Sequence, residues 1–185
     1  MDKYGKIFSD AFPNDLESDI NLILGIMELN NELHSNDTFE VIVGGEKIHI
    51  PERIYHEEPT ESEEIKMTEF QRQILNCFFT RHHNGYVRQR RLKNIFDNGN
   101  VEKWMIPYIL RLTGEYVEEI INDIYLNIDL IHLDNLKDFI NNNKYFIKLT
   151  EDRIASYWNE YHRWHISRDE YSGYKIKNTL NSLTR

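Results

Sequence analysis

Apolar side chains near the N-terminus recur at helical spacing from about residue 15 to residue 34. Asn14 and Glu17 stand at the spacing of a capping box, in which each side chain satisfies a backbone N–H at the start of a helix. The apolar face comprises Leu16, Ile20, Ile23, Leu24 and Met27. The pattern therefore predicts one amphipathic helix in this region.

The spacing changes from helical to alternating between residues 39 and 50. A Gly-Gly dipeptide at 44–45 divides the alternating run, and glycine adopts the positive φ angles that a two-residue hairpin turn needs. This turn pairs Val41 with Ile48 on one face of the hairpin. Phe39 and Ile50 form the next pair on the same face. Because an isolated hairpin is marginal in water, we expect this apolar face to pack on a helix.

Helical spacing returns at residue 67 and continues nearly to the end of the chain. Thr68 and Gln71 form a second capping-box pattern, and Gly85, Gly99 and Gly114 mark breaks between helices. The ranges 134–142 and 151–164 are predicted as two further helices, joined by an extended link at 145–147 and with Thr150 as the N-cap of the second. We expect a mainly α (α+β) fold, in which an N-terminal helix and β-hairpin flank an array of helical hairpins.

A weak internal repeat accompanies these helices. Tyr86-Val87 corresponds to Tyr116-Val117 at an offset of 30 residues, and the stretch 105–112 contains Pro107. Over residues 67–128 the chain resembles the HEAT-repeat family, whose units carry a proline in the first helix and a Val-Arg pair, here Val87-Arg88, at the start of the second. The resemblance implies a short HEAT-like α-solenoid and no particular activity.

Negative charge is concentrated in the first third of the chain. The net charge is −9, whereas residues 1–66 hold 16 acidic and 5 basic side chains, a net of −11. A dense acidic run comprises Glu57, Glu58, Glu61, Glu63 and Glu64. Mutual repulsion and Pro59 favour a linker there. We therefore divide the chain into a helix-and-hairpin region at 1–54, an acidic linker at 55–66 and a helical-repeat region at 67–185.

Basic side chains collect between residues 81 and 93, where no acidic residue occurs. In one interpretation this segment binds nucleic-acid phosphates as the second helix of a helix-turn-helix. In the other, its arginines meet the acidic N-terminal part. The negative net charge favours the second interpretation, because phosphate neutralisation supplies most non-specific affinity for nucleic acid. The candidate nucleic-acid residues are Arg88, Arg90, Arg91 and Lys93.

The predicted C-terminal helix is rich in aromatic residues at helical spacing. Such a stripe is typical of a core, but Trp and Tyr also dominate the hot spots of protein interfaces. A terminal helix of a solenoid has one uncovered face, so we expect some of these rings to be exposed. Trp158, Tyr161 and Trp164 are the candidates, and together with the glutamates of the acidic run they form the predicted partner-binding set.

No catalytic or cofactor motif is recognisable in the sequence. His162 and His165 lie three residues apart and share a helical face, but two ligands do not make a zinc site and no third is suggested by the spacing. Phosphate loops, nucleophile elbows and metalloprotease motifs are also missing from the sequence. We therefore predict no catalytic residues, no metal and no cofactor.

The N-terminal residues carry no apolar signal-peptide core, and no apolar run has the length of a membrane span. We expect a cytoplasmic protein that does not contact membranes. In size, acidity and lack of motifs the chain resembles bacterial immunity proteins of contact-dependent toxin systems. The resemblance implies a protein-binding module that blocks a basic toxin domain, such as a nuclease, by occlusion. The alternative is a nucleic-acid-binding protein that uses the basic segment.

Overall fold

The computed structural model describes residues 3–27 and 37–183. Over these residues the fold is mainly α with a two-stranded hairpin, which confirms the predicted fold class. The chain divides into two compact units, Met1–Ile95 and Phe96–Arg185. No described helix has both the length and the apolar character needed to cross a membrane.

The first unit opens with α1 (Lys3–Asp10), a 3₁₀ turn (Asn14–Leu16) and α2 (Glu17–Ile26). The sequence did not predict α1, and the predicted capping box does not form. The backbone N–H of Asn14 instead donates to Oε2 of Glu46 at 2.8 Å, and neither the turn nor α2 has a side-chain cap. The predicted continuation over 28–34 lies outside the described residues.

The hairpin agrees with its predicted register. Its strands are β1 (Thr38–Val43) and β2 (Glu46–Pro51), with Val41 opposite Ile48 and Phe39 opposite Ile50. Gly44 and Gly45 have φ values of 59° and 87°, the left-handed region that the turn requires. The inward residues are buried, and β2 contacts α1, so the apolar face packs on a helix as expected.

Three helices follow: α3 (Glu61–Glu64), α4 (Glu69–Phe79) and α5 (Gly85–Asp97), of which only the last two residues of α5 fall beyond the first unit. The capping box predicted for α4 is confirmed. The N–H of Gln71 donates to Oγ1 of Thr68 at 3.2 Å, and the N–H of Thr68 donates to Oε1 of Gln71 at 3.0 Å. Helix α4 packs against α2, and Phe78 contacts Phe8 with their ring centroids 4.2 Å apart. The buried face of α4 therefore organises this core.

The second unit contains α6 (Ile106–Thr113), α7 (Glu118–Asn127), α8 (Leu133–Asn142) and α9 (Lys144–Tyr157). A π-helix (Trp158–His162) continues α9, and α10 (Ser172–Ser182) follows. Helices α6 and α7 pack together, as predicted for residues 101–128. Helix α10 packs on both α7 and α9. The HEAT-like character expected for residues 67–128 stays a prediction.

Two local predictions in the second unit are wrong. The range 145–147 is not extended, and Thr150 is a buried residue inside α9 rather than its N-cap. The break falls earlier, at Asn143, whose φ of −128° and ψ of 42° are not helical. Helix α10 was not predicted either, although Ile176 and Leu180 stand four residues apart and are both buried.

Candidate functional sites

Glu58 and Glu64, two members of the acidic run, bind the basic segment of the same unit. Oε1 of Glu58 accepts a hydrogen bond from Nε of Arg91 at 2.7 Å, and Oε1 of Glu64 accepts one from Nη2 of Arg91 at 2.6 Å. Glu58 also pairs with Arg90. Nη1 of Arg91 also donates to Oδ1 of Asn76 at 3.1 Å, and this side chain is only 5% exposed. We call this group the Glu58–Arg91 cluster.

Partial burial opposes ionisation of Glu58, but hydrogen bonds and charge from Arg90 and Arg91 outweigh it. The pKa of Glu58 therefore lies below its usual value of 4.5. The carboxylate is held in its charged form by its two partners. The segment predicted as a linker thus contains the short helix α3, and two of its glutamates pair with arginines of α5.

The other three glutamates of the run have different environments. Glu63 completes a capping box at the start of α3, where its Oε2 accepts from the N–H of Thr60 at 2.7 Å. Glu57 and Glu61 are exposed. The run is therefore divided between structural carboxylates and solvent-facing ones, and it does not form one acidic surface.

Arg88 and Arg91, two arginines of the basic segment, are buried in contacts inside the first unit. Arg88 is 2% exposed and donates from Nη1 to the carbonyl oxygens of His82 and His83, both at 2.9 Å. Arg91 is buried in the Glu58–Arg91 cluster, whereas Arg90 and Lys93 are exposed. Arg90 and Arg91 thus meet acidic residues, as the second interpretation of the sequence expected, whereas Arg88 is held by backbone carbonyl oxygens.

An open cavity of about 400 Å³ lies beside the Glu58–Arg91 cluster. Its lining has three carboxylates and three guanidinium groups, together with neutral side chains such as Asn94; the charged residues are Glu58, Glu61, Glu64, Arg72, Arg90 and Arg91. Because acidic and basic side chains are equal in number, the cavity presents no excess of either charge to a small ligand.

The second unit exposes a group of aromatic rings. The ring centroid of Tyr161 lies 6.0 Å from that of Tyr116 and 5.9 Å from that of Tyr157. Tyr116 and Tyr161 are 54% and 53% exposed. Trp164, three residues after Tyr161, is 79% exposed, and the guanidinium of Arg163 lies 4.4 Å from its ring centroid. We call Tyr116, Tyr157, Tyr161 and Trp164 the aromatic patch.

Trp158, the third predicted aromatic anchor, has an internal role. Its Nε1 donates to the carbonyl oxygen of Ile166 at 3.1 Å. Its ring packs edge-on against Tyr174, with centroids 5.6 Å apart, and the guanidinium of Arg168 lies over the Trp158 ring at 5.1 Å from its centroid. Trp158 therefore ties the π-helix to the segment that follows it, and the sequence could not distinguish it from the exposed rings.

A second cluster in the same unit joins the two C-terminal histidines to Glu118, the first residue of α7. Oε2 of Glu118 lies 3.7 Å from Nδ1 of His162 and 3.9 Å from Nε2 of His165. Tyr171 stacks on His162 with centroids 5.0 Å apart. Burial, and then the nearby carboxylate of Glu118, raise the pKa of Tyr171 well above its usual value, so its phenol stays neutral. Sequence spacing gave no signal for Glu118, because only packing against α7 brings it here.

Comparison with known proteins returned no match for this chain among protein-family models, curated proteins or solved structures.

Proposed function

We propose that this chain is a protein-binding module that recognises a basic protein partner through the aromatic patch. The supporting observation is that Tyr116 and Tyr161 are both exposed with their ring centroids 6.0 Å apart, and that Trp164, three residues after Tyr161, is 79% exposed. Tyrosine and tryptophan give large contact areas at low entropic cost, and they dominate interface hot spots. Rings of this size that serve only the core would be buried.

The expected charge of the partner follows from the charge of the chain. A net charge of −9 attracts basic surfaces and accelerates their association through long-range steering. This contribution comes from the whole chain and does not need an ordered acidic surface. Within the acidic run, Glu57 and Glu61 face solvent and are the members available to a partner.

The partner class that suits these properties best is a bacterial toxin domain, with the chain acting as its cytoplasmic immunity protein. A small acidic protein with an exposed aromatic patch neutralises a basic nuclease by covering its substrate-binding surface. The general resemblance to immunity proteins of contact-dependent toxin systems supports this choice. The contacts of the basic segment argue against nucleic acid as the ligand, because Arg88 and Arg91 are buried against oxygen acceptors.

The proposal is tested by protection of cells. Toxin domains encoded next to the gene of this chain are induced in a sensitive host that also produces the intact chain. We expect the wild-type chain to restore growth and the Y161A/W164A variant to lose protection. The matched control is Y145A, which removes a tyrosine of the same unit that is 83% exposed and lies outside the aromatic patch. Failure of the wild-type chain against every such toxin would overturn the immunity function.

A further inference from the structure

We propose that Glu118, His162 and His165 form a binding site for one Zn²⁺ ion. One ligand atom from each of the three residues can be chosen such that all lie within 4.8 Å of one another. The two distances to Oε2 of Glu118 are 3.7 and 3.9 Å. A tetrahedral ion with bonds of about 2.0–2.1 Å places its ligand atoms roughly 3.4 Å apart. The two distances to Glu118 exceed this by a few tenths of an ångström, and the two imidazole nitrogens, which lie within 4.8 Å of each other, would close to the same separation by side-chain rotation of the exposed His165.

The environment of His162 is an independent indication of a ligand. Its side chain is 8% exposed, and neither ring nitrogen has a hydrogen-bond partner. The carboxylate of Glu118 is too far from Nδ1 for a hydrogen bond. Burying an imidazole without partners is costly, whereas an ion between these two groups would satisfy one nitrogen and the carboxylate together. The stacked Tyr171 also buries a hydroxyl that has no hydrogen-bond partner.

The backbone at this position is unusual as well. Residues Trp158–His162 form a π-helix, and the N–H of Arg163 donates to the carbonyl oxygen of Trp158 at 2.8 Å. Single π-turns are rare and occur frequently at functional sites. The wider turn changes the direction around the helix axis in which the side chains after α9 point. It directs His162 into the unit while Tyr161 faces solvent, and His165 comes to lie beside the buried ring with centroids 5.5 Å apart.

The chemistry of the three ligand side chains favours Zn²⁺ over other ions. Two imidazoles and one carboxylate suit Zn²⁺, whereas Mg²⁺ and Ca²⁺ prefer oxygen ligands. His165 is 55% exposed and Glu118 is 34% exposed, so the site opens to solvent on one side. Three protein ligands leave a fourth position for a water molecule.

The site is tested on the full-length chain, purified without a polyhistidine tag and stripped with a chelator. We expect one equivalent of Zn²⁺ to bind, with a rise in Tm of about 5–10 °C at zinc concentrations about 100 times the Kd. Mg²⁺ should give no rise. Co²⁺ should give visible absorption bands of a low-coordinate site, which report the ligands directly.

Variants at the solvent-facing ligands separate coordination from folding. H165A and E118Q should each weaken zinc binding at least tenfold and remove the Co²⁺ bands while leaving the metal-free chain folded. H132A, which removes an exposed histidine elsewhere in the same unit, should bind zinc as the wild type does. A wild-type chain without zinc-dependent stabilisation, or H165A with unchanged zinc affinity, would overturn the site. The readouts are independent of any protein partner, so they do not depend on the proposed function.

Discussion

Glu58 and Arg91 form a hydrogen-bonded ion pair, with Oε1 of Glu58 2.7 Å from Nε of Arg91. The pair connects the acidic run to α5, and both side chains are largely shielded from solvent, at 21% and 5% exposed. Breaking such a pair leaves a charge in a poorly hydrated place without its partner. The stability of the first unit therefore depends on residues that the sequence alone assigns to a linker.

The substitution E58Q should lower the free energy of unfolding by about 1–3 kcal/mol, because it removes hydrogen bonds to two charged guanidinium groups. Denaturant unfolding at neutral pH measures the effect. E57Q is the matched control, since Glu57 is exposed, and it should change stability by no more than about 0.5 kcal/mol. Equal effects of the two substitutions would show that the ion pair contributes nothing.

The same pair predicts a pH dependence. The pKa of Glu58 is lower in the folded chain than its usual value of 4.5. The ionised carboxylate therefore contributes fully to the free energy of unfolding above about pH 4.5, and this contribution is lost as the pH falls through the folded pKa. Wild-type stability should therefore decrease more steeply than that of E58Q below pH 4.5. Denaturant titrations at a series of acidic pH values check this, and parallel curves for the two proteins would contradict it.

Nucleic-acid binding should be weak because the acidic partners occupy the arginines. We expect the wild-type chain to elute from heparin at low salt, and E58Q/E64Q to elute at higher salt because Arg90 and Arg91 lose their carboxylates. E57Q/E61Q removes the same charge from exposed positions and serves as the control. Strong salt-dependent retention of the wild type that R90E abolishes would favour the nucleic-acid function instead.

The two tryptophans near the π-helix should respond differently to substitution. W158F removes the hydrogen bond to Ile166 and part of a packed ring, so we expect a loss of about 1–3 kcal/mol in the free energy of unfolding. W164A removes an exposed ring and should change stability by about 0.5 kcal/mol or less. Thermal and denaturant unfolding distinguish them, and a large loss of stability in W164A would show that Trp164 is a structural residue.

Local patterns in the sequence predict the elements whose signals are contained within a few residues. The hairpin register follows from the glycine turn and alternation, and the start of α4 follows from Thr68 and Gln71. Local sequence patterns fail to predict the bounds of an element where tertiary packing decides them. Asn143 rather than Thr150 marks the start of α9, because burial of Phe146 and Ile147 extends the helix toward the N-terminus.

For the candidate sites too, the sequence predicts what local spacing decides and misses what packing decides. Sequence spacing identifies Tyr161 and Trp164 as aromatic candidates and His162 with His165 as neighbours. It cannot show that Trp158 turns inward, because a π-helix changes the phase of the side chains at that point. It also cannot show that Tyr116 and Glu118 join these residues, since both come from the start of another helix.

The affinity of the purified chain for a purified toxin domain shows whether the aromatic patch is the binding surface. Calorimetric titration should show that Y161A/W164A weakens binding at least about 30-fold, because each ring acts as a hot spot, whereas Y145A binds as the wild type does. Circular dichroism should show both variants folded. If the aromatic patch is the binding surface, the loss appears only in the double variant. Equal affinities for wild type and double variant would contradict the account.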